Sequence, residues 1–263
     1  MFFAFGLACA TTPSTPELAS VPAPAPEISA SPAQLSAADL AMAAADRSEK
    51  DRAMDAQRKP AETLNFFEIQ TGQSVLEIGS GGGYTTELLA RTVGPGGQVY
   101  GHNSPWVLKR FAEGPWSTRL QKPVMANVTR IDAEFDDALP AELDGQLDAA
   151  VNVLFYHDTV WMEIDRAAMN REIFEALKPG GIYGIVDHSA AEADGVRVTK
   201  SLHRISEQAL IAEVTAAGFE LDASADFLRN SEDTLDWSAS PGAAGEKRGT
   251  SDRFVLKFRK PLD

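Results

Sequence analysis

Residues 75–90 read VLEIGSGGGYTTELLA, and this stretch decides the fold. A short apolar run leads to Glu77, glycines follow at positions 79, 81 and 83, and a helical pattern begins directly afterwards. Glycine permits a positive φ and leaves no side chain between the backbone and a ligand. The N–H groups at the start of the following helix would point at a bound anion. The stretch therefore predicts a strand, a loop and a helix in which the backbone itself contacts a ligand.

The spacing of the glycines does not match that of a dinucleotide site. A dinucleotide site requires G-x-G-x-x-G, and its third glycine would fall on position 84, where this chain has Tyr84. The observed spacing is E-x-G-x-G-x-G instead. A nicotinamide-dependent oxidoreductase is therefore the less favoured interpretation.

Strand and helix patterns alternate outward from this unit. Strands are predicted at 74–78, 97–101, 127–131, 148–155 and 182–187. Helices are predicted at 36–46, 49–69 with a kink or restart at Pro60, 85–92, 165–177 and from Ser206 to Gly218. Two later extended runs, 219–227 and 253–258, can pair as a hairpin. Strands separated by single helices indicate right-handed crossovers and a mainly parallel sheet covered on both faces.

The composition limits the classes of partner. The chain has 263 residues, and 24 Lys and Arg against 38 Asp and Glu give a net charge of −14. So acidic a surface disfavours nucleic acid and anionic membranes as partners. The single cysteine excludes an internal disulfide and any multi-cysteine metal site. No apolar run reaches the 18 residues of a membrane-spanning helix.

The N-terminal region differs from the remainder in composition. Residues 1–10 are apolar, and six prolines follow among Ala, Ser and Thr in residues 11–35, which predicts a disordered tether ahead of a domain at 36–263. Gly6-Leu7-Ala8-Cys9 resembles a bacterial lipoprotein cleavage site. A lipid anchor on Cys9 behind a signal peptide would place the protein in the cell envelope, as a lipoprotein or in the periplasm. An unmodified thiol in a disordered extension is the alternative, with the protein then in the cytoplasm.

The chain resembles the class I S-adenosylmethionine-dependent methyltransferases. The resemblance rests on the glycine stretch, on GQVYG at 97–101 and on LKPGG at 177–181. VLFYHD at 153–158 and VDHS at 186–189 are similar to a group of predicted bacterial methyltransferases that often carry export signals. The resemblance implies a doubly wound, Rossmann-like α/β fold with seven strands, the last antiparallel, and helices on both faces. It implies S-adenosyl-L-methionine as the cofactor, bound across the carboxyl ends of the strands.

The family pattern also implies which residues bind the cofactor. Carried over by position, they are Glu77, Gly79, Ser80, Gly81, Gly83, Tyr84, Asn103, Glu134 and Phe135. Glu77 would orient the loop and face the cofactor's ammonium group, and Glu134 would accept from the adenine amino group, with Asp132 and Asp136 as neighbouring alternatives. Asn103 departs from the family, which has an acid at its ribose position. A neutral hydrogen bond in place of a charged one costs about 1 kcal/mol of affinity.

Two His–Asp pairs are the candidate catalytic groups. His157-Asp158 follows the fourth predicted strand and Asp187-His188 follows the fifth, so both pairs should emerge at the cofactor's edge of the sheet. Histidine suits a general base at neutral pH, and we predict catalytic roles for His157, Asp158 and His188. The alternative is that these side chains only cap strand ends. We expect no metal, because no zinc-helix spacing is present.

These observations predict methyl transfer to a small-molecule acceptor. The alternatives are a non-catalytic or regulatory protein that retains the fold and, less favoured, an NAD-dependent oxidoreductase. Arg58 is expected to form an ion pair with Asp55 or a neighbour, the alternative being contact with an anionic substrate or with the cofactor carboxylate. The oligomeric state is left open.

Overall fold

A computed structural model describes residues 1–6 and 35–262 of the chain. The chain divides into two units, Met1–Gln34 and Leu35–Asp263. Residues 1–6 of the first unit belong to no helix or strand. The predicted tether and Cys9 lie outside the described residues, so the lipid anchor stays a prediction. Among the described helices, none has the length and apolarity needed to cross a membrane.

The second unit alternates strands and helices along the chain. Its helices are α1 (Ala37–Ala43), α2 (Glu49–Arg58), α3 (Pro60–Phe66), α4 (Tyr84–Val93), α5 (Pro105–Val107), α6 (Glu113–Leu120), α7 (Tyr156–Trp161), α8 (Arg166–Ala176), α9 (Thr199–Leu202) and α10 (Glu207–Ala216). Its strands are β1 (Ser74–Ile78), β2 (Gln98–Asn103), β3 (Val128–Asp132), β4 (Leu147–Val153), β5 (Leu177–His188), β6 (Glu220–Ala225) and β7 (Arg253–Arg259).

The seven strands form one sheet in the order β3-β2-β1-β4-β5-β7-β6. The pairs from β3 to β5 are parallel, and β7 is antiparallel to both of its neighbours. The predicted fold is therefore confirmed. Because β2 and β4 flank β1 on opposite sides, the strand order reverses at β1, and such a switch point is where open α/β sheets bind ligands.

Helices cover both faces of the sheet through bulky side chains. On one face, Trp116 of α6 packs against Gly101 and Phe67 against Gly184, each so close that a Cβ on the glycine would overlap the ring. On the other face, the Tyr183 ring contacts Phe219, which in turn meets Phe174 of α8. All of these aromatic groups except Phe174 are buried. The core therefore lies on both sides of a sheet whose central strands are inaccessible to solvent.

Several elements differ from the sequence prediction in detail. For the helix predicted at 49–69, the sequence predicts a kink or a restart at Pro60, and the structure has the restart: Lys59, with a φ of 42°, separates α2 from α3, which ends at Phe66. The helical segment 105–120 was not predicted; it begins at Ser104, whose hydroxyl accepts from the Val107 N–H, and includes a π-helical turn at Leu108–Ala112. The two late strands do pair antiparallel, but the long segment 226–252 separates them, so they are not a tight hairpin.

Candidate functional site

The glycine loop between β1 and α4 has the conformation that its sequence predicts. Gly79, Gly81 and Gly83 have φ values of 73°, 53° and 80°, a region that disfavours any side chain. The N–H groups of Gly79 and Ser80 both donate to the carbonyl of His102, at 3.0 Å each. A Cβ built on Gly81 would meet no atom within 4 Å. The loop is therefore fixed from β2 and leaves the Gly81 backbone open on one side.

Asn103, the last residue of β2, holds the loop from the same direction. Its Oδ1 accepts from the Gly81 N–H at 2.8 Å, and its Nδ2 donates to the Gly81 carbonyl at 3.2 Å. The residue has no exposed surface. Both ends of the amide are thus used on the loop backbone, and the ribose contact implied for this position stays a prediction.

Aromatic rings pack beneath the first glycine of the loop. A Cβ on Gly79 would lie 2.3 Å from the Phe155 ring, so only glycine is accommodated there. Phe155 packs against Phe135 with centroids 4.9 Å apart, and Phe135 packs against His102 at the same separation, each pair of rings being tilted. Burial lowers the pKa of His102, despite a hydrogen bond to the Ala133 carbonyl. The His102 ring is therefore neutral and packs with Phe135 and Phe155 beneath the loop.

Glu77 is directed into the protein. Its side chain is 3% exposed and accepts a hydrogen bond from the Thr86 hydroxyl in α4. Burial raises its pKa, although Thr86 and other hydroxyls oppose that shift. The carboxyl group therefore ties β1 to the start of α4, and the role toward the cofactor implied for it stays a prediction.

Tyr84 connects the loop to α2. Its hydroxyl donates to Asp55 at 2.7 Å, and the Arg58 guanidinium lies 4.9 Å from the ring centroid. Asp55 forms its ion pair with Arg47, at 2.6 Å, and not with Arg58. The ion pair expected between Arg58 and Asp55 or a neighbour was therefore wrong: Arg47 and Tyr84 occupy the Asp55 carboxylate, and Arg58 forms no ion pair within residues 35–262.

Among the predicted catalytic residues, His157 is enclosed by two carboxylates. Its Nδ1 lies 2.6 Å from Asp187 and its Nε2 lies 3.1 Å from Asp158. Burial lowers the pKa of His157, but the two carboxylates outweigh it and raise the value to about 10. At neutral pH the ring is therefore an imidazolium that donates from both nitrogens.

His188 has the opposite electrostatic environment. Burial and the positive charges of His157, Arg253 and Arg204 lower its pKa well below the ordinary value, with Asp158 opposing. Its Nδ1 lies 2.7 Å from the Ser251 hydroxyl. The ring is neutral at pH 7, which is the state that a general base requires.

A cavity of about 320 Å³ adjoins His188 between α2, the end of β4 and the segment before β7. Its wall includes Arg58, Leu154, Arg248 and Arg253. Leu154 has a φ of 59°, an unusual value for leucine, directly after β4. Arg58, Leu154 and Arg253 also line a smaller space against Tyr84 at the start of α4. The cavity therefore shares three wall residues with a space that reaches the start of α4, the helix after the glycine loop.

A second cavity lies at the ends of β3 and α7. Glu134 is half-buried there and borders an open cleft of about 410 Å³ together with Trp106, Trp161, Met162, Glu163 and Ile164. The two indole rings meet edge to face with centroids 5.9 Å apart. Glu134 thus faces an aromatic cleft, an environment that suits a planar heterocycle with an amino group.

The site residues fit the implied cofactor at the loop. Gly81 is open on one side, the glycines hold positive φ, and Glu134 faces an aromatic cleft. Asn103 is the one departure, since both ends of its amide already bind the Gly81 backbone.

His157, Asp158 and His203 lie within 4.8 Å of one another, close enough to share a metal ion. Both histidines contact Asp158, at 3.1 Å and 3.0 Å.

Sequence reasoning missed two arginines at this end of the sheet. Arg253 begins β7 directly opposite His188 in the β5–β7 register. Arg119 of α6 donates to the Gly82 carbonyl at 2.7 Å and pairs with Asp51. Neither lies in a motif. The strand order brings Arg253 to His188, and the unpredicted α6 brings Arg119 to the loop.

A family model and a curated relative match the chain. The model, of a methyltransferase domain, matches residues 69–235. An arsenite methyltransferase of Halobacterium salinarum is 29% identical over 126 residues, 46% of this chain and 29% of that protein, so the chain spans well under half of its length.

Solved structures resemble the chain in fold. An S-adenosylmethionine-dependent methyltransferase from Aquifex aeolicus has a TM-score of 0.57 at 17% identity, covering 80% of this chain and 96% of that one. The [4+2]-cyclase SpnF has a TM-score of 0.56 at 22% identity, covering 79% and 82%. Because one of these two is named for a cyclisation, the fold alone does not define the reaction.

Proposed function

Because this chain belongs to the methyltransferase domain family, we propose that it transfers a methyl group from S-adenosylmethionine to a small molecule held beside His188. The observation that carries the proposal is the open Gly81 backbone in a loop whose three glycines hold positive φ. The cavity of about 320 Å³ is the right size for a small acceptor.

The cofactor would be held by groups already placed around the loop. Gly79, Gly81 and Gly83 give the backbone its close approach, and Asn103 keeps Gly81 in position. Glu134 and the indoles of Trp106 and Trp161 offer an aromatic cleft with an acceptor for an adenine amino group. The −14 net charge also favours a cationic sulfonium, through nearby carboxylates more than through distant ones.

When bound, S-adenosylmethionine supplies its methyl group, the acceptor's electron pair forming the new bond while the carbon–sulfur pair remains on sulfur as a thioether. The chain's task is to align the acceptor and exclude water, which contributes several kcal/mol by proximity. His188 is neutral and borders the cavity, so it is placed to remove a proton from an acceptor hydroxyl or amine.

His157 has a positioning role in this proposal. As an imidazolium between Asp158 and Asp187 it has no free lone pair with which to remove a proton. The Asp187 carboxylate also accepts the backbone N–H of His188 at 2.7 Å. The His157–Asp187 pair therefore holds the end of β5 from which His188 projects.

A non-catalytic relative is the second candidate. Asn103 favours it: the family has an acid at this position to bind the ribose, whereas the Asn103 amide forms its hydrogen bonds with the Gly81 backbone. Such a protein would bind the cofactor or its product without turnover.

Calorimetric titration separates these candidates. S-adenosylhomocysteine should bind the folded protein and NAD should not, and absence of S-adenosylhomocysteine binding would remove the main proposal. Transfer of labelled methyl from S-adenosylmethionine to small molecules of the host extract then distinguishes an enzyme from a binding protein.

The location of the protein is proposed from its sequence. Gly6-Leu7-Ala8-Cys9 supports a domain anchored by a lipid on Cys9, with the proline-rich residues 11–35 as the tether, and Cys9 is the residue on which this depends. Mass spectrometry of membrane fractions should find Cys9 modified, whereas a free thiol there would contradict the anchor.

A further inference from the structure

The cavity beside His188 has an unusual concentration of cations for so acidic a chain. Arg58 projects into it from α2, Arg253 from the first position of β7, and Arg248 from the preceding segment. Gln57 packs against Gly249, so this segment lies directly on α2 and brings the three guanidinium groups to one space.

These arginines have no carboxylate partner within the described residues. Arg253 is 6% exposed, and its guanidinium donates only to the backbone carbonyls of Ser251 and Gly249, at 3.2 Å and 3.3 Å. Arg58 has the Tyr84 ring beneath it, but no ion pair in residues 35–262. A buried guanidinium without a counter-ion is costly, so the arrangement calls for an anion.

The nearby acidic groups are engaged elsewhere. Asp252 accepts from Arg229 and from the Asn230 N–H, Asp51 pairs with Arg119, and Asp55 pairs with Arg47. Burial and the charge of Arg58 lower the pKa of Arg253 to about 10, and the charge of Asp252 opposes this shift without cancelling it.

We propose that the methyl acceptor carries an anionic group, a carboxylate or similar oxyanion, bound by Arg253 with Arg58 and Arg248. Arg253 lies opposite His188 in the β5–β7 register, so the anionic group is held next to the proposed base. Met54, Leu154 and Pro241 give the same cavity an apolar wall, which fits a small organic acid better than a bare inorganic ion. This inference rests on the proposed function.

The test uses benzoate as the probe, benzamide as its uncharged counterpart, and inorganic phosphate as an oxyanion without an apolar part. Each is titrated calorimetrically into the full chain saturated with S-adenosylhomocysteine. Benzoate should bind, and benzamide should bind about tenfold or more weakly, the loss typical of charge-assisted hydrogen bonds.

The variants Arg253→Gln and Arg259→Gln form a matched pair on one strand. Arg253→Gln should weaken benzoate about tenfold or more and leave S-adenosylhomocysteine affinity unchanged. Arg259→Gln, at the far end of β7 and paired with Asp222, should change neither. Should Arg253→Gln fail to fold, the exposed Arg248→Gln gives the same comparison, with a smaller loss of benzoate affinity expected.

Three outcomes would each overturn the inference while leaving the proposed function intact. They are equal binding of benzoate and benzamide, no binding of either benzoate or phosphate, and an Arg253→Gln variant that binds benzoate as tightly as the natural chain. If S-adenosylhomocysteine does not bind, the proposed function fails instead. The benzoate titration on the unloaded protein then still tests whether the cavity takes an anion.

Discussion

The Nδ1 of His157 lies 2.6 Å from the Oδ1 of Asp187, and neither side chain is open to solvent. The other ring nitrogen faces Asp158 at 3.1 Å, and the pKa of His157 rises to about 10. The sequence places these residues after two different strands, and the parallel β4–β5 pair brings them together. The imidazolium so formed leads to a prediction about stability.

Replacing this histidine should destabilise the protein most at low pH. The folded pKa of His157 is raised above its unfolded value of 6.5, so its contribution is complete below pH 6.5 and is lost as pH rises through about 10. His157→Gln leaves Asp187 without its cation and should cost about 3–5 kcal/mol at pH 6. Urea unfolding at pH 6, 8 and 9.5 measures the difference from the natural chain, which should shrink with pH.

His203→Gln is the control for this prediction, because His203 contacts the same Asp158 but is partly exposed. It should cost less than about 1 kcal/mol. A His157→Gln penalty that increases with pH would contradict an imidazolium.

His188 should behave as the base of an enzyme that acts on a protonated acceptor. His188→Gln is expected to lower kcat about 10²–10⁴-fold while cofactor affinity is unchanged. Burial and the neighbouring cations lower its pKa, so kcat/KM should be level from pH 6.5 to 8, where an ordinary histidine would still titrate. Unchanged turnover, or a rate that still climbs across this range, would end the assignment.

The elements at the centre of the sheet were predictable because each is encoded locally. The β1–loop–α4 unit follows from apolar residues, glycines and a helical stripe within one short stretch, and the structure has it at 74–93. Hydrophobic periodicity likewise locates β4 and α8 to within a few residues. Helix 105–120 was missed because its stretch mixes Gly, Pro and charged residues, and what stabilises it is tertiary: Trp116 is buried against Gly101, and Arg119 pairs with Asp51 and Glu87.

The partners of the site's charged groups could not be read from the sequence. Arg58 lies one helical turn from Asp55, which predicts an ion pair, yet Asp55 is paired with Arg47 from outside α2. Arg253 reaches His188 only because β7 inserts between β5 and β6. Such contacts depend on strand order and loop packing, which local patterns do not contain.

Asn103 is expected to act on the cofactor through the loop. Asn103→Ala removes both hydrogen bonds to Gly81 and should weaken S-adenosylhomocysteine about tenfold, the value of one or two neutral hydrogen bonds. Asn103→Asp keeps an acceptor for the Gly81 N–H but sets a charge against the Gly81 carbonyl. Calorimetry should rank the natural chain first, and tighter binding by Asn103→Asp would instead indicate a direct ribose contact.

Arg119 should be among the more costly side chains to remove outside the core. It joins Asp51 of α2 to Glu87 of α4 and to the Gly82 carbonyl of the loop. Arg119→Ala leaves the buried Asp51 without a cation and should lower the free energy of unfolding by about 3–5 kcal/mol in urea titrations. Arg130→Ala, which breaks the more exposed pair with Glu113, should cost less than about 1 kcal/mol.

Gly81→Val tests whether the loop holds the ligand at all. The φ of 53° strains any side chain, and the new Cβ would point into the space that is open in the structure. Strain alone would reduce stability by about 1–3 kcal/mol without a specific effect on binding. Gly145→Val is the matched control, since Gly145 has a φ of 63°, also has open space at its Cβ, and precedes β4 at the opposite edge of the sheet. Both variants should lose similar stability in urea, whereas only Gly81→Val should abolish S-adenosylhomocysteine binding. Equal affinities in the two variants would place the cofactor elsewhere, because a branched side chain in its path leaves no room for it.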